Sequence, residues 1–227
     1  MQSSEFVIAV ITFLILLFSL SVHESAHAWV ASRLGDQTAR MLGRVSLNPM
    51  DHIDPIGTLL IPALAIFGPF IGLGFLGGLI IGWAKPVPVI SRNFRNFKRD
   101  DMLVSLAGPA SNLLLAVLSF FALAAVYSFE GHLPEGVNPS TTQQGLEMLF
   151  GLMMQLNLIL CIFNLIPIPP LDGSHVLRQY LPYSAVRVYD RITGIASYNL
   201  LILVARLVLG AVMAPVLKLA YSLLGHI

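Results

Sequence analysis

The sequence has 227 residues, of which 56% are hydrophobic and 11% charged, and its formal net charge at pH 7 is +1. With a mean hydropathy of +0.79, this composition excludes an ordinary soluble domain and predicts an integral membrane protein. The near-neutral charge, with basic residues scattered over short loops, argues against a nucleic-acid partner. Cys161 is the only cysteine, which excludes an intrachain disulfide and any Cys-x-x-Cys metal or redox motif.

The first apolar stretch predicts a membrane-spanning helix over residues 6–34, which ends where Gly35 and Asp36 interrupt the apolar pattern. The preceding MQSSE contains no basic residue, which favours a retained helix over a cleaved signal peptide. Residues 36–55 are polar and rich in turn formers. Because GRVSLN alternates in part with period two, the prediction includes a short strand near residues 40–48.

Residues 56–82 are apolar but interrupted by glycine and proline, above all at Gly68-Pro69. The two halves have about 12 and 14 residues and would reach only ~18 to 21 Å as helices, less than the hydrocarbon core. We therefore predict a re-entrant or hairpin element over 56–82. The segment that follows, residues 85–101, mixes Phe94 and Phe97 with basic side chains and is typical of a membrane interface.

Further apolar stretches lie at residues 102–129, 146–167 and 193–225, and in the last of them Arg206 and Pro215 favour a helix followed by a shorter piece. The prediction is therefore an all-α polytopic membrane protein, a single domain over residues 1–227 with a bundle of about four to six transmembrane helices. Lys and Arg are absent from residues 130–142 but frequent in 85–99 and 178–191. This asymmetry predicts that 130–142 lies outside and the other two segments lie in the cytoplasm.

The motif HESAH near the end of the first helix carries two imidazoles and a carboxylate. His23 and His27 are four residues apart, so they lie on one face of a helix and can bind the same metal ion. Glu24 between them is placed to act as a general base on water. The alternative is a group of polar residues that satisfy one another inside a bundle. Ionisable groups in lipid cost about 2.5 kcal/mol or more each, which favours a functional site.

A hydrolytic zinc site takes three protein ligands and leaves one position for water. The candidates for the third ligand are His52, Asp54, Asp172 and His175, all close to apolar segments. Asp172 is favoured because it ends NLIPIPPLDG, in which three prolines open the helix ahead of a carboxylate. Its alternative interpretation is a turn or N-cap aspartate before Gly173.

Three motifs, HESAH, AGPASN at 107–112 and NLIPIPPLDG at 164–173, resemble in order and spacing the site-2 protease family of zinc intramembrane metalloproteases. The resemblance covers most of the chain and is to a short, single-domain type without a PDZ domain. It implies that His23, His27 and Asp172 bind one Zn²⁺ per chain.

The same resemblance implies catalytic roles for three other residues. Glu24 would be the acid and base of the reaction, and Asn112 and Asn164 would be active-site asparagines. A neutral amide can donate to a developing oxyanion or hold a substrate carbonyl without adding charge to a dry site. The alternative for both asparagines is hydrogen bonding between helices.

The predicted function is hydrolysis of a peptide bond in or next to a transmembrane segment of a membrane protein, as in regulated intramembrane proteolysis. The predicted location is the cell membrane, multi-pass, with the active site in the cytoplasmic half. The predicted partners of the protein are a transmembrane substrate and the bilayer. No motif specifies the identity of the substrate, the cleavage position or the oligomeric state. The rival predictions are a metal-binding membrane transporter and a non-catalytic scaffold. Glu24 favours the enzyme, because a structural metal site needs no general base.

Overall fold

The computed structural model describes residues 2–73, 84–130 and 140–225, with side chains for all of these except 2, 3, 129, 130, 192–206, 208 and 209. The chain divides into two compact units, Met1–Gly108 and Pro109–Ile227. The described α-helices are α1 (Gln2–Leu34), α2 (Thr38–Met41), α3 (Ile61–Phe67), α4 (Phe97–Glu130), α5 (Thr141–Asn164), α6 (Asp172–Tyr180) and α7 (Tyr183–Leu224).

The predicted all-α membrane class is confirmed. Within the described residues three helical segments are long and apolar enough to cross a membrane, namely Ser4–Leu34, Phe97–Ser128 and Thr141–Asn164. This count is lower than the expected four to six. Two further apolar helical segments are shorter, namely Pro55–Ile71 and Gly210–Leu224, and the second of them is the end of the longer helix α7.

Helix α1 extends for 33 residues, or about 50 Å at 1.5 Å per residue, so it is longer than the hydrocarbon core. Its hydroxyl groups are satisfied within the helix, since Ser21 and Thr12 donate to the carbonyls four residues earlier at 2.7 and 2.8 Å. The helix ends where predicted. Gly35 adopts a φ of 121° there, and a Cβ at this position would lie 2.7 Å from the Asn93 carbonyl oxygen.

The short strand expected near residues 40–48 is not formed. Residues 38–41 form α2, residues 44–48 have no regular structure, and a 3-10 turn follows at Pro49–Asp51. Val45 and Leu47 are exposed. A strand requires a neighbouring strand for its backbone groups, and none is present among the described residues, so the partial alternation of GRVSLN has nothing to pair with.

The segment after His52 and Asp54 forms one helical run from Pro55 to Ile71, beginning with a π-helical turn and ending with a 3-10 turn. The ring centroid of Phe67 lies 5.9 Å from that of Phe6 and 5.8 Å from that of Phe13, so this run packs along the early part of α1. The run continues through Gly68-Pro69, where the break was expected. Residues 74–83 lie outside the described part of the chain, and the re-entrant or hairpin element stays a prediction.

The segment expected at the membrane interface, residues 85–101, is only partly exposed. Phe97 is exposed, but Phe94 is buried in a small apolar cluster with Ala31 of α1 and Val104 of α4. This corrects the interpretation of Phe94 as an interfacial side chain. Its burial fastens the start of α4 against the end of α1, where the sequence places HESAH.

In the second unit, α5 begins with a capping box formed by Ser140 and Gln143. The apolar core of this unit contains Leu123 of α4 and Met154 of α5, both almost fully buried. The expected break in the last stretch is not found, since α7 is a single helix from Tyr183 to Leu224 with Pro215 inside it. Proline is tolerated inside membrane helices because neighbouring groups can satisfy the backbone that it frees. The side chain of Arg206 lies outside the described residues.

Candidate metal centre

The side chains of the two histidines of HESAH are buried, and their Nε2 atoms approach each other. His23 and His27 are 4% and 8% exposed, and their Nε2 atoms lie 3.1 Å apart. Two imidazole nitrogens bound at 2.0–2.1 Å to a tetrahedral zinc ion are about 3.3 Å apart. The spacing in α1 therefore fits two ligands of one ion, as the i, i+4 spacing predicts.

The orientation of His27 is fixed by a backbone group of α4. Its Nδ1 lies 2.6 Å from the Val104 carbonyl oxygen, and because a carbonyl can only accept, Nδ1 carries the proton and donates it. In the neutral ring Nε2 is then the unprotonated nitrogen, which is the form that binds a metal. No sequence motif reports a backbone acceptor, so the role of Val104 was not predicted.

Both rings of the pair pack against Gly108 of α4. A Cβ at that position would collide with the Nε2 atoms of both rings. Within the first unit, however, no third described His, Cys, Asp or Glu side chain is close enough to complete a metal site. Glu24, which is half-buried, is thus not a third ligand, in keeping with a separate role as a base.

Two other candidates for the third ligand have structural partners of their own. The His52 Nε2 donates to the Ser46 carbonyl oxygen at 2.8 Å. The Asp54 side chain caps the helical run that follows it, accepting from the backbone N–H groups of Ile56 and Gly57 at 3.0 and 2.7 Å. The two residues therefore hold the loop before Pro55 together.

In the second unit the proline-rich turn after α5 delivers Asp172 as the first residue of α6. The N-cap is Leu171, so the N-cap interpretation of Asp172 is wrong. The turn is compact, because a Cβ on Gly173 would lie 2.9 Å from the Ile166 carbonyl oxygen and closer still to that of Leu165. A residue with a Cβ would collide with these carbonyl groups at position 173, which explains why glycine follows Asp172.

Burial separates Asp172 from the other candidate in the same helix. Asp172 is half-buried whereas His175 is exposed. The turn before it is held by a buried apolar cluster that includes Ile166 and Ile168, and by the Tyr189 hydroxyl, which donates to the Pro167 carbonyl oxygen at 2.9 Å. The Asp172 carboxylate is therefore carried on a rigid element.

The predicted asparagines differ in their surroundings. Asn112 on α4 is fully buried. Asn164, the last residue of α5, donates through Nδ2 to the Leu160 carbonyl oxygen at 2.9 Å, so one of its two N–H groups is used within its own helix. Asn157, which the sequence analysis did not single out, is fully buried like Asn112 and donates to the Met153 carbonyl oxygen. No spacing or motif in the sequence marks it.

Parts of the chain are similar to a known protein family and to known proteins. The model of Peptidase family M50 matches residues 131–207. YwhC of Bacillus subtilis (strain 168) is 38% identical over 187 residues, which are 82% of this chain and 75% of that protein. Rip2 of Mycolicibacterium smegmatis is 34% identical over 165 residues, or 73% of this chain and 55% of that protein.

Rip2 of Mycobacterium tuberculosis (strain H37Rv) is 32% identical over the same length. The names of all three relatives describe zinc metalloproteases. No solved structure matches the chain significantly.

Proposed function

Because the chain belongs to peptidase family M50, the site-2 protease family, and is a metalloprotease of the membrane, we propose that it hydrolyses a peptide bond in or next to a transmembrane segment of a membrane-protein substrate. The observation that carries this proposal is the 3.1 Å approach of the His23 and His27 Nε2 atoms in a helix apolar enough to cross a membrane. Two imidazoles meet there in surroundings where such groups are costly.

The metal in this proposal is one Zn²⁺ per chain, held by His23, His27 and Asp172. The donor set suits zinc, which accepts imidazole nitrogen and carboxylate oxygen and, in hydrolytic sites, keeps a fourth position open. Asp172 enters the set because the described residues of the first unit offer no third ligand and because the motif around it resembles the family. Its half-buried carboxylate at the start of a rigid helix is a suitable donor, whereas the exposed His175 is not.

Zinc bound there would supply Lewis acidity, which polarises the scissile carbonyl and brings the pKa of water down toward ~7. Glu24 accepts the proton from the attacking water and later returns it to the leaving amine. His27, held by the Val104 carbonyl, stays in one tautomer throughout, so the ligand geometry does not change during turnover. Asn112 and Asn164 donate N–H groups to the substrate carbonyl or to the charge that develops on it.

The reaction takes place in the cytoplasmic half of the cell membrane. His23 lies eleven residues before the end of α1 at Leu34, which corresponds to about 16 Å of helix, and Arg33 marks the cytoplasmic end. A helical substrate hides its peptide bonds in its own hydrogen bonds, so the segment that is cut must unwind before attack. We therefore expect substrates with helix-breaking residues near the cleaved bond.

The test is a panel of purified full-length variants in detergent, with a fluorescently labelled transmembrane peptide as substrate. Wild-type protein should cleave the peptide and lose this activity when a zinc chelator is added. Glu24→Gln should keep a full complement of zinc but lose about 10²- to 10⁴-fold in rate, which is the contribution of a positioned general base. Asp172→Ala should lose the zinc itself.

His175→Ala is the matched control in the same helix and should retain both zinc and activity. Cleavage by Glu24→Gln at the wild-type rate would contradict the role of the base. Zinc retained by Asp172→Ala would contradict the ligand set. A metal-dependent ion flux in proteoliposomes, without any cleaved product, would instead identify a transporter.

A further inference from the structure

Helix α4 passes the histidine pair at a residue without a side chain. The three heavy atoms nearest to a Cβ built on Gly108 are His27 Nε2 and the Cε1 and Nε2 atoms of His23. The two His23 atoms would be 2.5 Å away, and His27 Nε2 would be closer. No atom of the α1 backbone is among these three nearest neighbours, so the close approach is to the two imidazole rings.

A Cβ at residue 108 would be too close to both imidazole rings. Carbon and nitrogen atoms in ordinary contact stay about 3.5 Å apart. A methyl group at residue 108 would lie well inside this distance from both imidazole rings, so it could be accommodated only if the rings moved.

We infer that Gly108 is a positioning residue for the metal, because the absence of a side chain lets α4 pack against both imidazole rings while their Nε2 atoms stay close together. This inference rests on the metal site of the proposed function. It assigns a purpose to the glycine of AGPASN that helix packing alone does not require, since α1 approaches it through the ligand rings. A methyl group at this position must push the rings away from α4 and so disturb the two ligands of the metal.

The first experiment measures metal binding, without any reference to proteolysis. Metal-stripped, full-length protein in detergent is titrated with Zn²⁺ in competition with a chelating indicator. Gly108→Ala should weaken the affinity for Zn²⁺ at least 100-fold. Gly145→Ala is the matched control, because residue 145 also lies within a helix but a Cβ there meets nothing within 4 Å, and its affinity should match wild type.

The outcomes separate this inference from the function on which it rests. Wild-type protein that binds no Zn²⁺ would overturn both. Wild-type binding together with a Gly108→Ala affinity within threefold of it would overturn the inference alone. A large loss in Gly108→Ala but not in Gly145→Ala would support both.

A second experiment covers the case in which Gly108→Ala folds poorly. The same substitution is made in a protein that already carries His23→Ala and His27→Ala, and the melting temperatures of the metal-free forms are compared. If the methyl group clashes with the imidazoles, the substitution should leave the melting temperature of this background unchanged or raise it, because alanine favours a helix more than glycine does. A fall as large as in the wild-type background would show a clash with the helices themselves and overturn the inference.

Discussion

Two buried polar sites in the first unit contrast in how their atoms are used. The side chain of Asp36, just after α1, is completely buried and accepts four hydrogen bonds from the backbone and side chain of Thr38, the backbone of Ile90 and the side chain of Asn93, at 2.6 to 3.2 Å. The Nε2 atoms of His23 and His27, within α1, approach each other and pack against Gly108.

The difference separates a structural site from a chemical one. The four donors around Asp36 are all uncharged, and together they replace the water that the carboxylate loses, so the site joins residues 36–38 to residues 90–93. The histidine pair brings two imidazole nitrogens to within 3.1 Å of each other, an arrangement that a shared proton or a bound cation stabilises. Substitution of Asp36 should therefore lower the free energy of unfolding, and substitution of the histidines should lower zinc binding and peptide cleavage.

The largest effect is expected from His23→Ala. Zinc content should fall from one ion per chain to less than about a tenth, and peptide cleavage should fall at least about 10³-fold, because two remaining ligands hold zinc poorly. The free energy of unfolding of the metal-free protein should change by less than about 2 kcal/mol. Elemental analysis, a cleavage assay and denaturant titration in detergent measure the three quantities.

His52→Ala is the matched control for this substitution. It also removes a buried imidazole that is bonded to a backbone carbonyl, but His52 is not among the described side chains that could share a metal with the pair. It should therefore lower stability while leaving zinc content at the wild-type level. Loss of zinc from His52→Ala as great as from His23→Ala would contradict the distinction between the two sites.

Asp36→Ala is expected to show the opposite pattern. It leaves four donors without their acceptor, which should lower the free energy of unfolding by about 3 kcal/mol. Zinc content and the affinity for Zn²⁺ should stay within about threefold of wild type, since neither imidazole is among the four hydrogen-bond donors to Asp36. A denaturant titration and a zinc titration on the same preparation test this, and a strong loss of zinc affinity in a folded variant would show that the two sites are coupled.

The histidine pair and the Asp36 site also differ in how far the sequence predicts them. The spacing of HESAH sets both imidazoles on one helix face, and apolar length predicts α1, α4 and α5, because helix geometry and lipid thickness are local constraints. Asp36 was recognised only as the end of α1. Its donors at Ile90 and Asn93 lie more than 50 residues away and include a backbone N–H, for which no residue pattern exists.

Other misses have the same cause. The GRVSLN alternation predicted a strand whose partner is not present in the described residues, because strand formation depends on a neighbour and not on the segment alone. Pro215 suggested a break, yet α7 continues through it, since tertiary surroundings decide whether a proline ends a membrane helix. The close approach of the imidazole rings to Gly108 depends on the path of α4 past α1, which no motif specifies.

The smallest expected effect is the dependence on pH of the stability that Asp36 contributes, and it is also the most diagnostic of this site. Burial by itself raises the pKa of the Asp36 carboxyl, but the hydrogen bonds from Thr38, Ile90 and Asn93 outweigh burial and hold the pKa below its ordinary value of 3.8. A depressed pKa in the folded state means that the carboxylate contributes its full stability above about pH 4, and that this contribution is lost as the pH falls through the folded-state pKa.

Asp36→Asn, which cannot titrate, isolates this contribution. The difference in free energy of unfolding between wild type and Asp36→Asn should be constant from pH 7 to about pH 5 and should shrink as the pH is lowered below about 4. Denaturant titrations of the metal-free proteins at a series of pH values measure the difference, and the other carboxylates cancel because both chains contain them. A difference that does not change with pH would mean that the hydrogen bonds hold the protonated acid as well as the carboxylate. The site would then owe its stability to its shape and not to its charge.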